Sequence, residues 1–280
     1  MDFDVQPIKP GVGAIVRCGR KALFEPGAAA RCLELIDKHG ALVFPRLGLS
    51  DAEQLAFTDA LGARVNFTRD VPGGDKDAKD VYTITLDPKI NNEPEYVYGS
   101  WFWHLDGACM NIPMPRITML SCRHPAPKGG ETEFANTFAA YDALPEDEKK
   151  ALEDLRVMHS VAAGVREIAA PETLNPVRRE YRHEHPLVFT HENGRKSLMI
   201  GYTADYIIGM NRAESRALLA RLQDWAAQPA FSCRHSWQEG DFAMWNNRGV
   251  LHRALPYAAD SGRKMNRTSV SGIVPAAQAA

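Results

Sequence analysis

The sequence predicts a mainly β fold, a sandwich or jelly roll with helices packed outside. Three observations point there. Short apolar or alternating runs bounded by Gly, Pro or Asn recur at Ala41–Phe44, Arg116–Ser121, Leu187–Thr190, Ser197–Ile200, Phe242–Trp245 and Ser269–Val274. Strand and helix signals do not alternate along the chain as a doubly wound sheet requires. No G-x-G-x-x-G or Walker sequence is present.

Four helices are expected. Over residues 26–38, Cys32, Leu33, Leu35 and Ile36 share a face and Gly40 ends the run. Ser50 and Glu53 make a capping box for Asp51–Leu61. A third helix spans about Pro145–Leu155. The fourth is Arg212–Ala227, capped by Asn211 with Glu214 completing a box, and Leu218, Leu219, Leu222 and Trp225 form its buried stripe. The polar stretch near 70–95, in which only Val81–Leu86 reads as a strand, is expected to be a lid loop. Residues 162–184 read as a loop-like insertion, and the Ala-rich tail 275–280 as frayed. Residues 1–280 are taken as a single domain.

Composition narrows the function. With 45% hydrophobic and 24% charged residues the chain is an ordinary globular one. A net charge of −2 speaks against nucleic-acid or membrane-surface binding by bulk electrostatics. No apolar run approaches the roughly 18 residues of a membrane helix. Met1-Asp2-Phe3-Asp4 lacks a signal-peptide pattern, and five scattered cysteines without a CxxC suggest neither a disulfide framework nor a zinc knuckle. A cytoplasmic enzyme with a small-molecule substrate is the default, and a homo-oligomer is compatible with it.

Chemistry concentrates at Trp101-Phe102-Trp103-His104-Leu105-Asp106-Gly107. Read as a strand, this segment puts His104 and Asp106 on one face, within reach of one point. H-x-D alone is weak. Its weight comes from Gly240–Arg253, which reads as strand, polar turn and strand and carries His252. Two imidazoles and one carboxylate would make a facial triad that leaves positions open on Fe(II). A last strand carries Arg263, Met265, Arg267 and Ser269 on one face, and inward arginines are costly unless an anion meets them.

These residues, with Pro127–Phe134, Ala140–Pro145, Gly194–Leu198 and Met244-Trp245-Asn246-Asn247-Arg248, resemble the taurine dioxygenase and phenoxyacetate dioxygenase family over roughly residues 30–274, closer to the phenoxyacetate branch. The resemblance implies a double-stranded β-helix (jelly roll) and an enzyme that uses Fe(II), 2-oxoglutarate and dioxygen. It implies His104, Asp106 and His252 as metal ligands. Thr132 and Arg263 would bind the distal carboxylate of 2-oxoglutarate, and Arg267 would lie near its metal end and the substrate anion. A carboxylate at 106, where halogenating relatives carry a small residue, implies hydroxylation. Asn246 replaces the aspartate usual in relatives, a change expected to touch only the turn. The substrate histidine of taurine dioxygenases has no counterpart; Arg64, Asn66 and Phe67 stand in its region.

The expected substrate is a small organic acid with an apolar portion, such as an aryloxyalkanoate, hydroxylated and thereby cleaved. Tyr98, Phe102, Gly107 and Arg267 are its candidate contacts, with Phe102 nearest the metal; Met110 and Tyr202 are further wall candidates. One rival reading is a relative that hydroxylates or desaturates a biosynthetic intermediate. Another is a metal-binding jelly roll without redox activity, against which Thr132 and Arg263 speak. The remaining histidines read as structural or loop residues, His235 as part of a core strand beside Cys233, and Arg178-Arg179 as a solvated loop.

Overall fold

Strand Ala41–Phe44 shows how the sequence sets the layers. All four residues are buried, with Leu42 and Phe44 in one apolar cluster and Ala41 and Val43 in another. Phe242–Asn246 divides the same way, with Phe242 and Met244 on one face and Ala243 and Trp245 on the other. A strand apolar on both faces must be covered on both. The computed structural model, which describes residues 3–71, 75–91, 93–170, 172 and 176–272, shows how.

These strands lie in a seven-stranded sheet, ordered Asp4–Lys9, Val12–Arg17, Ala41–Phe44, Phe242–Asn246, Ile117–His124, Lys264–Val270, Tyr82–Ile84. Every pairing is antiparallel except that of Val12–Arg17 with Ala41–Phe44. One face takes helices Ala28–His39 and Asp51–Leu61 through Leu35, Ile36, Phe57 and Leu61. The other meets a three-stranded sheet, ordered Ser232–His235, Thr132–Asn136, Val250–Ala254. Phe134, Cys233 and Val250 from that sheet pack on Val43, Leu120, Trp245 and Met265. The result is a sandwich with helices outside, mainly β as expected. A second three-stranded sheet, a two-stranded ladder and helix Arg212–Ala226 extend one side through Val157, Leu198, Ile207, Leu219 and Leu222.

Local signals hold where they have a mechanism. The Ser50 hydroxyl accepts the Glu53 N–H at 3.2 Å and the Glu53 carboxylate accepts the Ser50 N–H at 2.8 Å. Asn211 caps differently from expectation, accepting from both Ala213 and Glu214 rather than sharing a reciprocal box. The helix near 145–155 is Glu146–Leu152, and the last strand begins earlier, at Lys264–Val270. Residues 273–274 of that expected strand, and the tail 275–280, lie outside the described residues.

The stretch read as a loop near 162–184 carries helices Val161–Val165 and Pro176–Arg179, then strand Arg182–Pro186 with His183 and His185. Pro94–Gly99 is likewise a helix. Helices of one or two turns are too short to print a periodicity. Among the described residues no helix is long and apolar enough to cross a membrane.

Replacing Ser50 by Ala removes one half of the capping box and is expected to cost about 1 kcal/mol of stability. Urea unfolding of the variant against the parent measures it.

Candidate active site

His104 and Asp106 do not sit on a strand. Residues 101–107 form turns, with His104 in an isolated antiparallel bridge to His252. The two histidines exchange both backbone hydrogen bonds at 3.0 Å, and Ala254 N–H reaches Ser100 carbonyl at 2.7 Å. The loop is thus hung on strand Val250–Ala254, and the imidazole ring centres come within 4.1 Å. Asp106 is held by Asn247, whose side chain accepts its N–H and donates to its carbonyl, both at 2.9 Å. Thr118 donates to the carboxylate at 2.8 Å.

The three side chains converge. His104 Nε2 lies 3.9 Å and His252 Nε2 3.5 Å from the Asp106 oxygens. One ligand atom from each falls within 4.8 Å of the others, so the set can hold a metal ion. His104 Nδ1 donates to the Phe102 carbonyl at 2.8 Å, which leaves Nε2 as the lone-pair nitrogen facing the cluster. Burial, and then His252, pull the His104 imidazole down to about 3, so it stays neutral, as a ligand must. Burial pushes the Asp106 carboxyl up, but Arg267, His252 and His104 together outweigh it and hold it well below the usual range. His252 Nδ1 is buried with no partner. Two imidazoles and a carboxylate fit a divalent first-row ion such as Fe(II).

Beside this cluster a cavity of about 50 Å³ is lined by Thr132, Leu120, Trp245, Arg253, Arg263 and Arg267. Arg263 is 3% exposed and its Nε is buried without a partner. Its guanidinium lies 4.7 Å from the Tyr257 ring centre, and burial draws its pKa below the ordinary arginine value. A Cβ on Gly130 would come within 2.9 Å of Arg263, and one on Gly129 within 2.1 Å of the Pro256 carbonyl, which explains the paired glycines. Trp237 Nε1 donates to the Thr132 hydroxyl at 2.9 Å, so that hydroxyl keeps its own proton to give.

A larger cavity of about 150 Å³ opens on the other side of His104 and Asp106. Gly107, Met110, Tyr202 and Arg267 line it, as the sequence suggested, with Phe67, Ile84 and Val161. Arg267 is not free there: Nη1 bonds the Asp106 carboxylate at 3.1 Å, and its guanidinium lies 5.0 Å from the Phe67 and Tyr82 ring centres.

Two expected contacts are corrected. Phe102 is 36% exposed and stacks on Tyr202 at 5.8 Å outside this cavity, because a turn does not alternate its side chains as a strand would. What Phe102 gives the site is its carbonyl. Tyr98 packs on Trp101 at 5.0 Å in a cluster with Leu86, Val97 and Tyr257, and Tyr96 takes the wall instead. Sequence reading missed Asn247, Thr118 and Trp237 as positioning residues. Trp237 left a faint signal, since a buried indole needs an acceptor. Arg178, read as solvated, lines the larger cavity.

Two imidazoles and a carboxylate, placed between a donor-lined pocket and an apolar one in a β sandwich, meet the needs of a 2-oxoglutarate-dependent dioxygenase. The chain belongs to the family described as taurine catabolism dioxygenase TauD, TfdA family, whose model matches residues 4–269. It is 35% identical to the alpha-ketoglutarate-dependent 2,4-dichlorophenoxyacetate dioxygenase of Burkholderia sp. (strain RASC), covering 93% of this chain and 91% of the relative. It is 30% identical to the (S)-phenoxypropionate/alpha-ketoglutarate-dioxygenase of Delftia acidovorans, covering 96% and 95%. The crystal structure of AAD-2 in complex with Mn(II) and N-oxalylglycine superposes with a TM-score of 0.84 at 28% identity, covering 98% and 99%. The fold is therefore a jelly roll, and the protein is an oxidoreductase that uses Fe(II), 2-oxoglutarate and dioxygen.

Asn247→Ala would leave the Asp106 N–H and carbonyl unpaired in the interior, at about 1–3 kcal/mol for each group. A lowered melting temperature and a Mn(II) affinity reduced at least tenfold, read by titration, are the expected outcomes.

Proposed function

We propose that His104, Asp106 and His252 hold the iron, that Thr132 and Arg263 hold the distal carboxylate of 2-oxoglutarate, and that the substrate is a small organic acid such as an aryloxyalkanoate. The observation that carries this is Arg263. A guanidinium buried to 3% exposure with an unpartnered Nε is costly by itself, and it stands beside the triad in a pocket whose threonine also has a proton to donate. A carboxylate satisfies both groups.

With iron, 2-oxoglutarate and dioxygen bound, the site supplies oxidative decarboxylation to succinate and carbon dioxide coupled to insertion of oxygen into a substrate C–H bond. This chain's residues ligate, orient and exclude water. His104 keeps Nε2 directed by its bond to Phe102, Arg263 and Thr132 fix the cosubstrate's far end, and the apolar wall of Phe67, Ile84 and Val161 receives the substrate body. A hydroxyl placed on a carbon that bears an ether oxygen gives a hemiacetal, which collapses and breaks the ether bond. The phenoxyalkanoate relatives support this substrate class, and the apolar cavity favours it over a compact zwitterion. Five free thiols fit a cytoplasmic setting.

Succinate formation across aryloxyalkanoates, alkyl sulfates, sulfonates and amino-acid derivatives tests the class, with an aryloxyalkanoate expected to give the highest kcat/KM. A higher value for a sulfonate or an amino acid would overturn it. His104→Ala and His252→Ala are expected to abolish turnover and Fe(II) binding while the circular dichroism spectrum is kept. Arg263→Ala removes the buried partner of a carboxylate, a loss of about 2–5 kcal/mol by analogy with buried charge pairs. The KM for 2-oxoglutarate should rise at least tenfold, with Lys a partial rescue.

A further inference from the structure

Two cations line the larger cavity among the described residues, Arg267 and Arg178. Arg267 is committed to Asp106 at 3.1 Å and enclosed by two rings, so it is poorly placed to take a second anion from the substrate. Arg178 is placed differently. It projects from the short helix Pro176–Arg179, bonds Glu93 at 2.8 Å and lies 5.1 Å from the Tyr96 ring centre. Glu93 is not on the cavity wall, and its side chain is 40% exposed, so water screens most of its pull. A guanidinium has five N–H groups in a planar fork, more than Glu93 and the neighbouring Tyr96 hydroxyl can take.

Tyr96 adds a second donor. Its hydroxyl is buried beside the Arg178 guanidinium and finds no acceptor for its proton among the described residues. Burial raises its pKa, so it stays a phenol. An arginine fork and a phenol proton that converge on one wall form a receptor for an oxyanion. Glu95 also lines this cavity, but it is partly exposed on the first turn of its helix. Neither Arg178 nor Tyr96 borders the pocket of Thr132 and Arg263.

We infer that Arg178 and Tyr96 determine substrate specificity by taking the substrate's carboxylate, on the side of the cavity away from the cosubstrate pocket. The inference rests on the reading that the substrate is an organic acid. The acid then lies with its anion at Arg178 and Tyr96, its apolar body against Val161, Val165 and Ile168, and its reacting carbon toward His104 and Asp106.

The test titrates phenoxyacetate and its neutral amide, phenoxyacetamide, into protein loaded with Mn(II) and N-oxalylglycine, in the parent, Arg178→Gln, Arg178→Lys and Tyr96→Phe. KM and kcat for phenoxyacetate are measured alongside. In the parent the acid binds more tightly than the amide. Arg178→Gln is expected to raise the acid's Kd and KM at least tenfold and the amide's Kd less than twofold. Arg178→Lys recovers part of the loss, and Tyr96→Phe weakens the acid several-fold. N-oxalylglycine is titrated first in each variant. If Arg178→Gln fails to take it up, Arg178→Lys and Tyr96→Phe, which keep the bulk, decide. A parent that prefers the acid, with variants that weaken acid and amide equally or neither, overturns this inference and leaves the proposed function standing. A parent without preference for the acid overturns both.

Discussion

His104 and His252 are joined backbone to backbone, by two hydrogen bonds of 3.0 Å, and the rest of the centre depends on that junction. A loop residue ordinarily has too much freedom to keep an imidazole within a few tenths of an ångström of a working position. Here the loop borrows the rigidity of strand Val250–Ala254, which is itself paired to Thr132–Asn136. The same small sheet therefore fixes His252, Thr132 and, through the bridge, His104. A second anchor comes from Tyr202, whose N–H reaches the Trp103 carbonyl at 2.8 Å. Gly201 makes that approach possible: its φ is +123°, and a Cβ there would sit 2.9 Å from the same carbonyl.

Charge explains why the pocket is built with arginines. Asp106 is buried and needs a cation, which Arg267 supplies together with the Thr118 hydroxyl. Among the described residues Arg263 has no carboxylate bonded to it, and Arg253 is already bound to Glu133 at 2.7 Å. With a divalent ion bound, Asp106, Arg267 and Arg263 sum to a positive charge, which Glu131, near enough to act on Arg263, offsets in part. A dianionic cosubstrate removes most of that excess.

His104 and Asp106 stood out in the sequence through a two-residue repeat, and Arg263 and Arg267 through alternation on a last strand, whereas Thr132 was singled out only by the resemblance to the family. Leu120 and Arg267 are register partners on adjacent strands, which carries the alternation across the sheet as expected. The pattern misled where the backbone was not what it looked like. Trp101–Asp106 has strand-like composition but turns, so the facing rule placed Phe102 at the metal and the structure places it outside. Asn247 looked like turn punctuation, and nothing local reveals that its amide grips Asp106 across 141 residues. Arg178 was illegible for a similar reason. Its relation to the cavity exists only after Pro94–Gly99 and Val161–Val165 have packed, and neither is long enough to announce itself.

These two kinds of residue divide the molecule by evolvability. The groups proposed to serve metal and cosubstrate come from the two facing sheets or are pinned to them, where a shift of one residue would turn every side chain to the wrong face. Groups on the outer wall of the larger cavity, Tyr96, Val161, Val165, Ile168 and Arg178, come from short helices and their flanks, which can be exchanged without disturbing a sheet. Tyr202 sits at the boundary. Its ring is enclosed by Gly99 and Gly164, where an added Cβ would approach to 2.6 and 2.5 Å, so the two outer helices are docked against a residue fixed to the metal loop. A substitution at either glycine would displace Tyr202 and the adjoining wall together. Substrate choice can therefore change on one side of Tyr202 while ligation stays constant on the other.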